Sequence, residues 1–305
     1  MKIPEPNENL KLHIKEQIAT NSSKNLFADE RVNSLQLIEV TESLQETVRN
    51  MDAETEKQMI DFMTDEALQE FCRVNQYFSF NSESVNELKN IYALFTQHIR
   101  LLRNNANQEE LQVISQQHYL NLCNWLVKTN AFAEKIYNQT QEYVQPVACS
   151  EYGPDLQLAL LHIDLKTLHQ PVLDVGCGRE MNLVNYLRDN GIKAFGIDRF
   201  SNDNPFYIKS DWLEYTFEPQ QWGTIISNLG FSNHFIHHNL RIDGNFKEYA
   251  QKYMEILAAL KPRGSFYYAP DLPFIEKHLD KNRFQHREFK IDKYDFMASQ
   301  VLVKN

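Results

Sequence analysis

Residues 171–179 read PVLDVGCGR, and this stretch decides the fold. Val172 to Val175 is short and largely apolar, with two β-branched valines, and it lies between Pro171 and a pair of glycines. That pattern predicts a buried strand. Gly176 and Gly178 predict a tight turn, and the spacing of Met181, Leu183, Val184 and Leu187 predicts a helix directly after it. Strand, glycine turn and helix together form a nucleotide-binding device. Glycine lets backbone approach a ligand closely, and the N–H groups at a helix start face that ligand.

Two details narrow the nucleotide. A dinucleotide fingerprint needs Gly or Ala at the third position of G-x-G-x-x-G, and this chain has Met181 there. No Lys–Ser/Thr pair follows the glycines, so a P-loop is excluded. What remains is D-x-G-x-G, with Asp174 at the strand end and Cys177 between the glycines. This resembles the first motif of the class I S-adenosylmethionine-dependent methyltransferases. An acid suits that cofactor, which carries an ammonium and a sulfonium and has no phosphate to repel. The other reading of the same residues is a βα turn in some different doubly wound enzyme.

Length and charge set the frame. A chain of 305 residues accommodates two domains of ordinary size. Its net charge is −10, most of it in the first 150 residues, and neither half shows the basic footprint expected of a nucleic-acid binder. The expected partner is a small-molecule or peptide acceptor, with neither nucleic acid nor membrane; oligomeric state is left open. Cys72, Cys123, Cys149 and Cys177 are scattered without C-x-x-C spacing, which supports neither a disulfide framework nor a zinc finger. No apolar run reaches a transmembrane length, and the opening MKIPEPNENLKLHIKE lacks a signal-peptide core. The expected compartment is cytoplasmic.

Residues 8–145 contain little Gly and read as helices over 8–20, 28–50, 53–78, 83–104 and 107–138. The last carries Tyr119, Trp125, Phe132 and Tyr137. These aromatics are either a lid over an acceptor pocket or the core of a helical bundle, and core is the commoner use. Turn residues from Gln145-Pro146 to Gly153-Pro154 predict the boundary, giving a helical domain over 1–148 and a second domain over 149–305.

In the second half, a helix over 155–169 leads into the first strand, and the helix after the glycine turn ends near Gly191. The second strand runs from Lys193 to Ile197 and ends at Asp198, followed by Arg199. An acid about 20 residues beyond the glycines accepts hydrogen bonds from both ribose hydroxyls; otherwise Asp198 is a turn or capping residue. Phe206 to Lys209 is a third strand, followed by Asp211 and Trp212. In the family resembled, an acid here holds the adenine amino group and an apolar neighbour flanks the ring; the alternative for Trp212 is to cover the sheet edge. Gly223 to Leu229 is the fourth strand, with Gly223-Thr224 where the family commonly has an acid. Its end, Ser227-Asn228 with Leu229 after it, would face the methionine part of the cofactor, because ligands sit at the carboxyl ends of strands in open α/β sheets. Leu260-Lys261-Pro262-Arg263-Gly264 resembles the family's L-K-P-G-G turn, with Arg263 in place of the first Gly. Ser265 to Ala269 is then the fifth strand, 271–279 a short helix, and 284–291 and 296–303 two closing strands, the last antiparallel. The resemblance implies a Rossmann-like, seven-stranded methyltransferase sheet preceded by an all-α domain.

Within residues 231–239, FSNHFIHHN, stand His234, His237 and His238. Three roles compete. A histidine here can take the acceptor's proton during methyl transfer. His234 and His238, at i and i+4, can supply two metal ligands. Or the cluster is structural. The candidate catalytic residues are these three, His234 foremost, with Tyr152 and His234 as acceptor-binding candidates and no metal expected. The implied cofactor is S-adenosyl-L-methionine, and the implied reaction is methyl transfer to an oxygen or nitrogen nucleophile. Two rivals stay open: aminocarboxypropyl transfer from the same cofactor, as in nicotianamine-synthase-like enzymes, and a non-catalytic cofactor-binding scaffold.

Overall fold

In a computed structural model the chain divides into two compact units, residues 1–149 and 150–305. The structure describes residues 6–28, 34–38, 41–102, 108–137, 140–147, 152–200, 202–292 and 294–305.

The first unit is helical, with α1 (Pro6–Thr20), α2 (Glu42–Asn50), α3 (Ala53–Val74), α4 (Ser82–Leu101) and α5 (Gln108–Thr129). Three of these begin at side-chain caps. Thr41, Asp52 and Asn81 accept hydrogen bonds from the N–H groups of Leu44, Thr55 and Ser84, each worth about 1 kcal/mol. The helix expected over 28–50 is confined to its second half. Residues 34–38 are irregular, and their backbone is held by the Gln17 and Asn21 amides; 29–33 and 39–40 lie outside the described residues. The helix expected to 138 stops at Thr129, because the Asn130 side chain turns to the backbone of Ser79. A 3-10 turn, Ala131–Lys135, follows it. Tyr119, Trp125, Phe132 and Tyr137 are all buried within this unit. Trp125 stacks on Phe80 at 4.8 Å and donates its Nε1–H to Ser84 O, and Phe132 packs edge-on to Phe78. They fill the unit's own core.

The second unit is a seven-stranded sheet: β1 (Val172–Val175), β2 (Ala194–Asp198), β3 (Tyr207–Lys209), β4 (Trp222–Asn228), β5 (Leu260–Ala269), β6 (Phe284–Lys290) and β7 (Met297–Val303). The spatial order is 3-2-1-4-5-7-6. β1 pairs in parallel with β2 and β4, β2 with β3, and β4 with β5, whereas β7 runs antiparallel to both β5 and β6. Its helices are α6 (Pro154–Leu160), α7 (Asn182–Asp189), α8 (Phe231–Leu240), α9 (Phe246–Ala258) and the one-turn α10 (Pro273–Glu276). The helix expected over 155–169 ends early, at Leu160, where the chain turns through His162 at φ 52°.

Strand alternation divides the core between the two faces of the sheet. Leu173, Val175, Ile197, Ile225 and Phe266 pack with Phe231 and Phe235 of α8 and Tyr249 and Tyr253 of α9. Val172, Ala194 and Ile226 pack with Leu183, Val184 and Leu187 of α7. Gly223, where the family resembled carries an acid, has a packing reason. A Cβ there would meet His169 O at 2.5 Å, and the next residue, Thr224, exchanges hydrogen bonds with the His169 backbone. Arg263 takes the position of the family's glycine at φ 63°, a left-handed conformation costly for a residue with a Cβ.

Candidate cofactor-binding site

The site is built where β1, β2 and β4 end. The turn after β1 uses three left-handed residues, Gly176 (φ 82°), Gly178 (φ 72°) and Met181 (φ 53°), the last immediately before α7. Gly176 is favoured by its φ, and space around it is tight. A Cβ there would lie 3.1 Å from the Trp212 ring. Cys177 is buried against Gly196 of β2, where a Cβ would sit 2.5 Å from its Sγ. The Gly176 and Cys177 N–H groups both donate to Ile197 O, and Gly178 N–H donates to Asp198 Oδ2 at 2.9 Å. The glycine turn is thus hung on the end of β2.

Asp174, Asp198 and Asn228 fall on the face of the sheet that α7 covers, by alternation from Val172, Ala194 and Ile226. Asp174 is 2% exposed, and burial, with repulsion from Asp198, pushes its pKa up to about 7. Burial also raises Asp198 and Asp211. The Arg199 charge opposes this in both, joined at Asp198 by backbone N–H bonds from Gly178, Arg199 and Phe200, and at Asp211 by the Leu213 N–H. Asp198 and Asp211 therefore both face the Arg199 charge in a poorly hydrated place, and Asp174 is raised beside Asp198 without it. At the end of β4, Asn228 Oδ1 is buried without a hydrogen-bond partner. Leu229 follows at φ 57°, its N–H bonded to Ala269 O. Ser227 Oγ ties this end of β4 to Val175 O and accepts from Phe231 N–H, so the strand end and the start of α8 are fixed together.

The remaining expected residues are placed as follows. Asp211 Oδ1 accepts from Leu213 N–H, an Asx turn that opens the turn after β3. Trp212 covers the glycine turn and stands edge-on to His234, with ring centroids 5.0 Å apart. Tyr152 is half-buried, and its carbonyl accepts from Gln157 and from Asn182, the first residue of α7.

His234 and His238 both meet Tyr249, and His237 lies beside His238. His234 is 4% exposed, behind Trp212, with its Nδ1 3.4 Å from the Tyr249 hydroxyl. His237 Nε2 accepts from Arg241, and His238 Nδ1 accepts from Asn245 N–H while its ring stacks on Tyr249. Burial pushes the pKa of both His237 and His238 down to about 4, helped by Arg241 and, for His238, by His237. Both are neutral near pH 7, and both hold the loop between α8 and α9. A triad with ligand atoms within 4.8 Å of one another lies instead at Glu276, His286 and Glu288, beside β6. There Glu276 Oε1 accepts from Tyr268, Ser299 and Leu272 N–H.

Sequence reasoning missed one support: Asn202 Nδ2 donates to Arg179 O, bracing the glycine turn from beyond β2. Ser227, expected to face the cofactor, is fully buried and gives its hydroxyl to Val175 O, linking β4 to β1. No local signal marks Asn202, because its partner is 23 residues away.

No protein-family model matches the chain, and no curated protein does. Among solved structures it is similar to a putative S-adenosylmethionine-dependent methyltransferase from Listeria monocytogenes, at 16% identity over 46% of this chain and 96% of that one, with a TM-score of 0.33. A methyltransferase from Bacteroides fragilis in complex with S-adenosyl-L-homocysteine is similar at 13% identity over 51% and 86%, TM-score 0.34. The 1,6-didemethyltoxoflavin N1-methyltransferase of Burkholderia thailandensis is similar at 15% identity over 44% and 71%, TM-score 0.31. The sheet has the seven-stranded, Rossmann-like arrangement expected from the sequence: parallel in the order 3-2-1-4-5, closed by an antiparallel β7 between β5 and β6, with D-x-G-x-G running from the end of β1 into the turn after it.

Proposed function

We propose that the second unit binds S-adenosyl-L-methionine and transfers its methyl group to an oxygen or nitrogen nucleophile of a small molecule or peptide. The observation that carries this reading is the joint placement of Asp174, Asp198 and Asn228 at the ends of three adjacent strands, with Asn228 Oδ1 buried and unpartnered. An orphaned acceptor in such a place fits an ammonium donor. Asp198 already accepts from the Gly178, Arg199 and Phe200 N–H groups, and about one of the carboxylate's four acceptor sites is left for a ribose hydroxyl. Gly176 leaves the turn without a side chain beneath the Trp212 ring.

The sulfonium supplies an activated methyl: the S–CH3 bond breaks as the acceptor's lone pair forms the new bond, sulfur keeps the electron pair, and an acceptor that was protonated gives up its proton. The residues of this chain then have to align and desolvate. Asp198 and the glycine turn fix the nucleoside end, and Asn228 with Asp174 receives the amino-acid end. Trp212, buttressed by His234 and Phe231, holds water off the turn. Product analysis with a converted acceptor tests the reading. S-adenosylhomocysteine is the expected product, and methylthioadenosine would show aminocarboxypropyl transfer instead.

A further inference from the structure

A groove of about 600 Å³ lies in the second unit toward the amino ends of β1 and β4, away from the glycine turn. Its floor is a row of side chains across three strands. Tyr267 of β5 stands opposite Gln300 of β7, and Gln300 opposite Arg287 of β6. Tyr267, Gln300 and the neighbouring Ser265 are buried. Gln300 Nε2 donates to Ser265 Oγ at 3.0 Å and to the Tyr267 hydroxyl at 2.8 Å, and Thr167 also meets that hydroxyl. The other end of the amide, Gln300 Oε1, has no partner among the described residues and is not sealed from solvent. Of the remaining wall groups, several are engaged. Lys304 Nζ donates to Lys281 O, Asp164 Oδ1 accepts from Lys166 N–H, His162 Nε2 meets Lys290 O, and Thr224 is bonded to the His169 backbone. The last residue, Asn305, brings a second carboxylate to the wall. Arg263, Arg287 and His169 are exposed, and none of their side chains has a hydrogen bond or ion pair among the described residues. Burial raises the Tyr267 pKa, and Arg287 lies close enough to be among the groups that lower it. Arg263 holds φ 63°, a backbone that glycine adopts without strain, so a free cation stands where conformation favours no side chain.

We infer that this groove binds a phosphate ester of a polyol, its charged oxygens held by Arg263 and Arg287 and one hydroxyl donating to Gln300 Oε1. Both guanidiniums are unspent forks, and a dianionic phosphate can accept from each. A neutral polyol reaches Gln300 but leaves both cations without a countercharge. Inorganic phosphate meets the cations but leaves the amide oxygen, set in a buried floor, without a donor. The volume falls within the range of small-molecule sites, about 300 to 1,000 Å³. The lining shares no residue with the proposed cofactor site, and the inference does not rest on that reading.

The experiment is calorimetric titration of the full chain with glucose 6-phosphate, glucose and inorganic phosphate, on wild type, Arg287→Gln and Arg263→Gly. Glycine suits the left-handed backbone at 263, and Arg287 is an exposed strand residue, so both variants should fold, which melting checks; should one fail to fold, the other decides. Glucose 6-phosphate should bind wild type saturably, at least about tenfold tighter than glucose and about fivefold tighter than inorganic phosphate, and each variant should weaken it about tenfold. Saturating S-adenosylhomocysteine should leave that affinity unchanged. No saturable binding of glucose 6-phosphate to wild type, equal binding of glucose or of inorganic phosphate, or full affinity in either folded variant overturns the assignment, and so does displacement by S-adenosylhomocysteine.

Discussion

Gly178 N–H donates to Asp198 Oδ2 at 2.9 Å, joining the glycine turn after β1 to the last residue of β2 across 20 residues of chain. One contact thus makes two functional elements a single rigid piece. The carboxylate is oriented by backbone, and backbone donors are cheap to pre-organise. It also means that the same oxygens serve the fold and the proposed ribose contact, so a variant at Asp198 reports on both. Stability has to be read beside affinity.

Asp174 makes the free protein's stability depend on pH. Its pKa rises from an ordinary 3.8 to about 7 on folding, so the folded state favours the protonated carboxyl. That contribution is fully present below about pH 4 and is lost as pH rises through about 7. Asp198 and Asp211 shift in the same direction. Asp174→Asn should therefore leave stability nearly unchanged at pH 4 and raise it at pH 8, by up to about 4 kcal/mol. Urea unfolding at the two pH values checks this; a wild type whose stability is flat from pH 4 to 8 contradicts it.

Asp211 has a turn role in the structure and an adenine role by resemblance, and the two separate by observable. Asp211→Asn keeps the oxygen that Leu213 N–H needs, whereas Asp211→Ala loses it. Melting should fall in Ala alone, by about 1 kcal/mol. If the carboxylate also holds the adenine amino group, S-adenosylhomocysteine affinity falls about fivefold in Asn and further in Ala. Identical affinities in all three proteins would confine Asp211 to its turn.

His234 is expected to act as a support. It is buried between Trp212 and Tyr249. His234→Ala opens space there and should cost about 1–3 kcal/mol in stability, while the single-turnover rate of the folded fraction stays within about tenfold. A loss of 10²-fold or more with normal melting, about the effect of removing a general base, would return it to chemistry.

Local pattern made much of this legible. The largely apolar run 172–175, the glycines after it and the acid 20 residues on sit as read, because each answers to constraints within one βα unit. What was not legible depended on distant partners. Gly223 is glycine because His169 O approaches it, which no local window shows. The helix read over 28–50 has the right composition, but Gln17 and Asn21 capture the backbone of 36–38 before a helix can. The histidines looked like a reactive cluster because three fall within five residues. In α8 His234 packs against Trp212 and shares Tyr249 with His238, while His237 and His238 also bond Arg241 and the Asn245 N–H at the turn to α9.

The most direct test of the cofactor assignment is calorimetric titration of wild type and Asp198→Ala with S-adenosylhomocysteine, with thermal melting of both free proteins alongside. Wild type should bind one equivalent per chain. Asp198→Ala should lose about 2–3 kcal/mol of affinity, roughly 30- to 150-fold, at a temperature where both are folded. No binding to folded wild type, or equal affinity in the folded variant, would contradict the account.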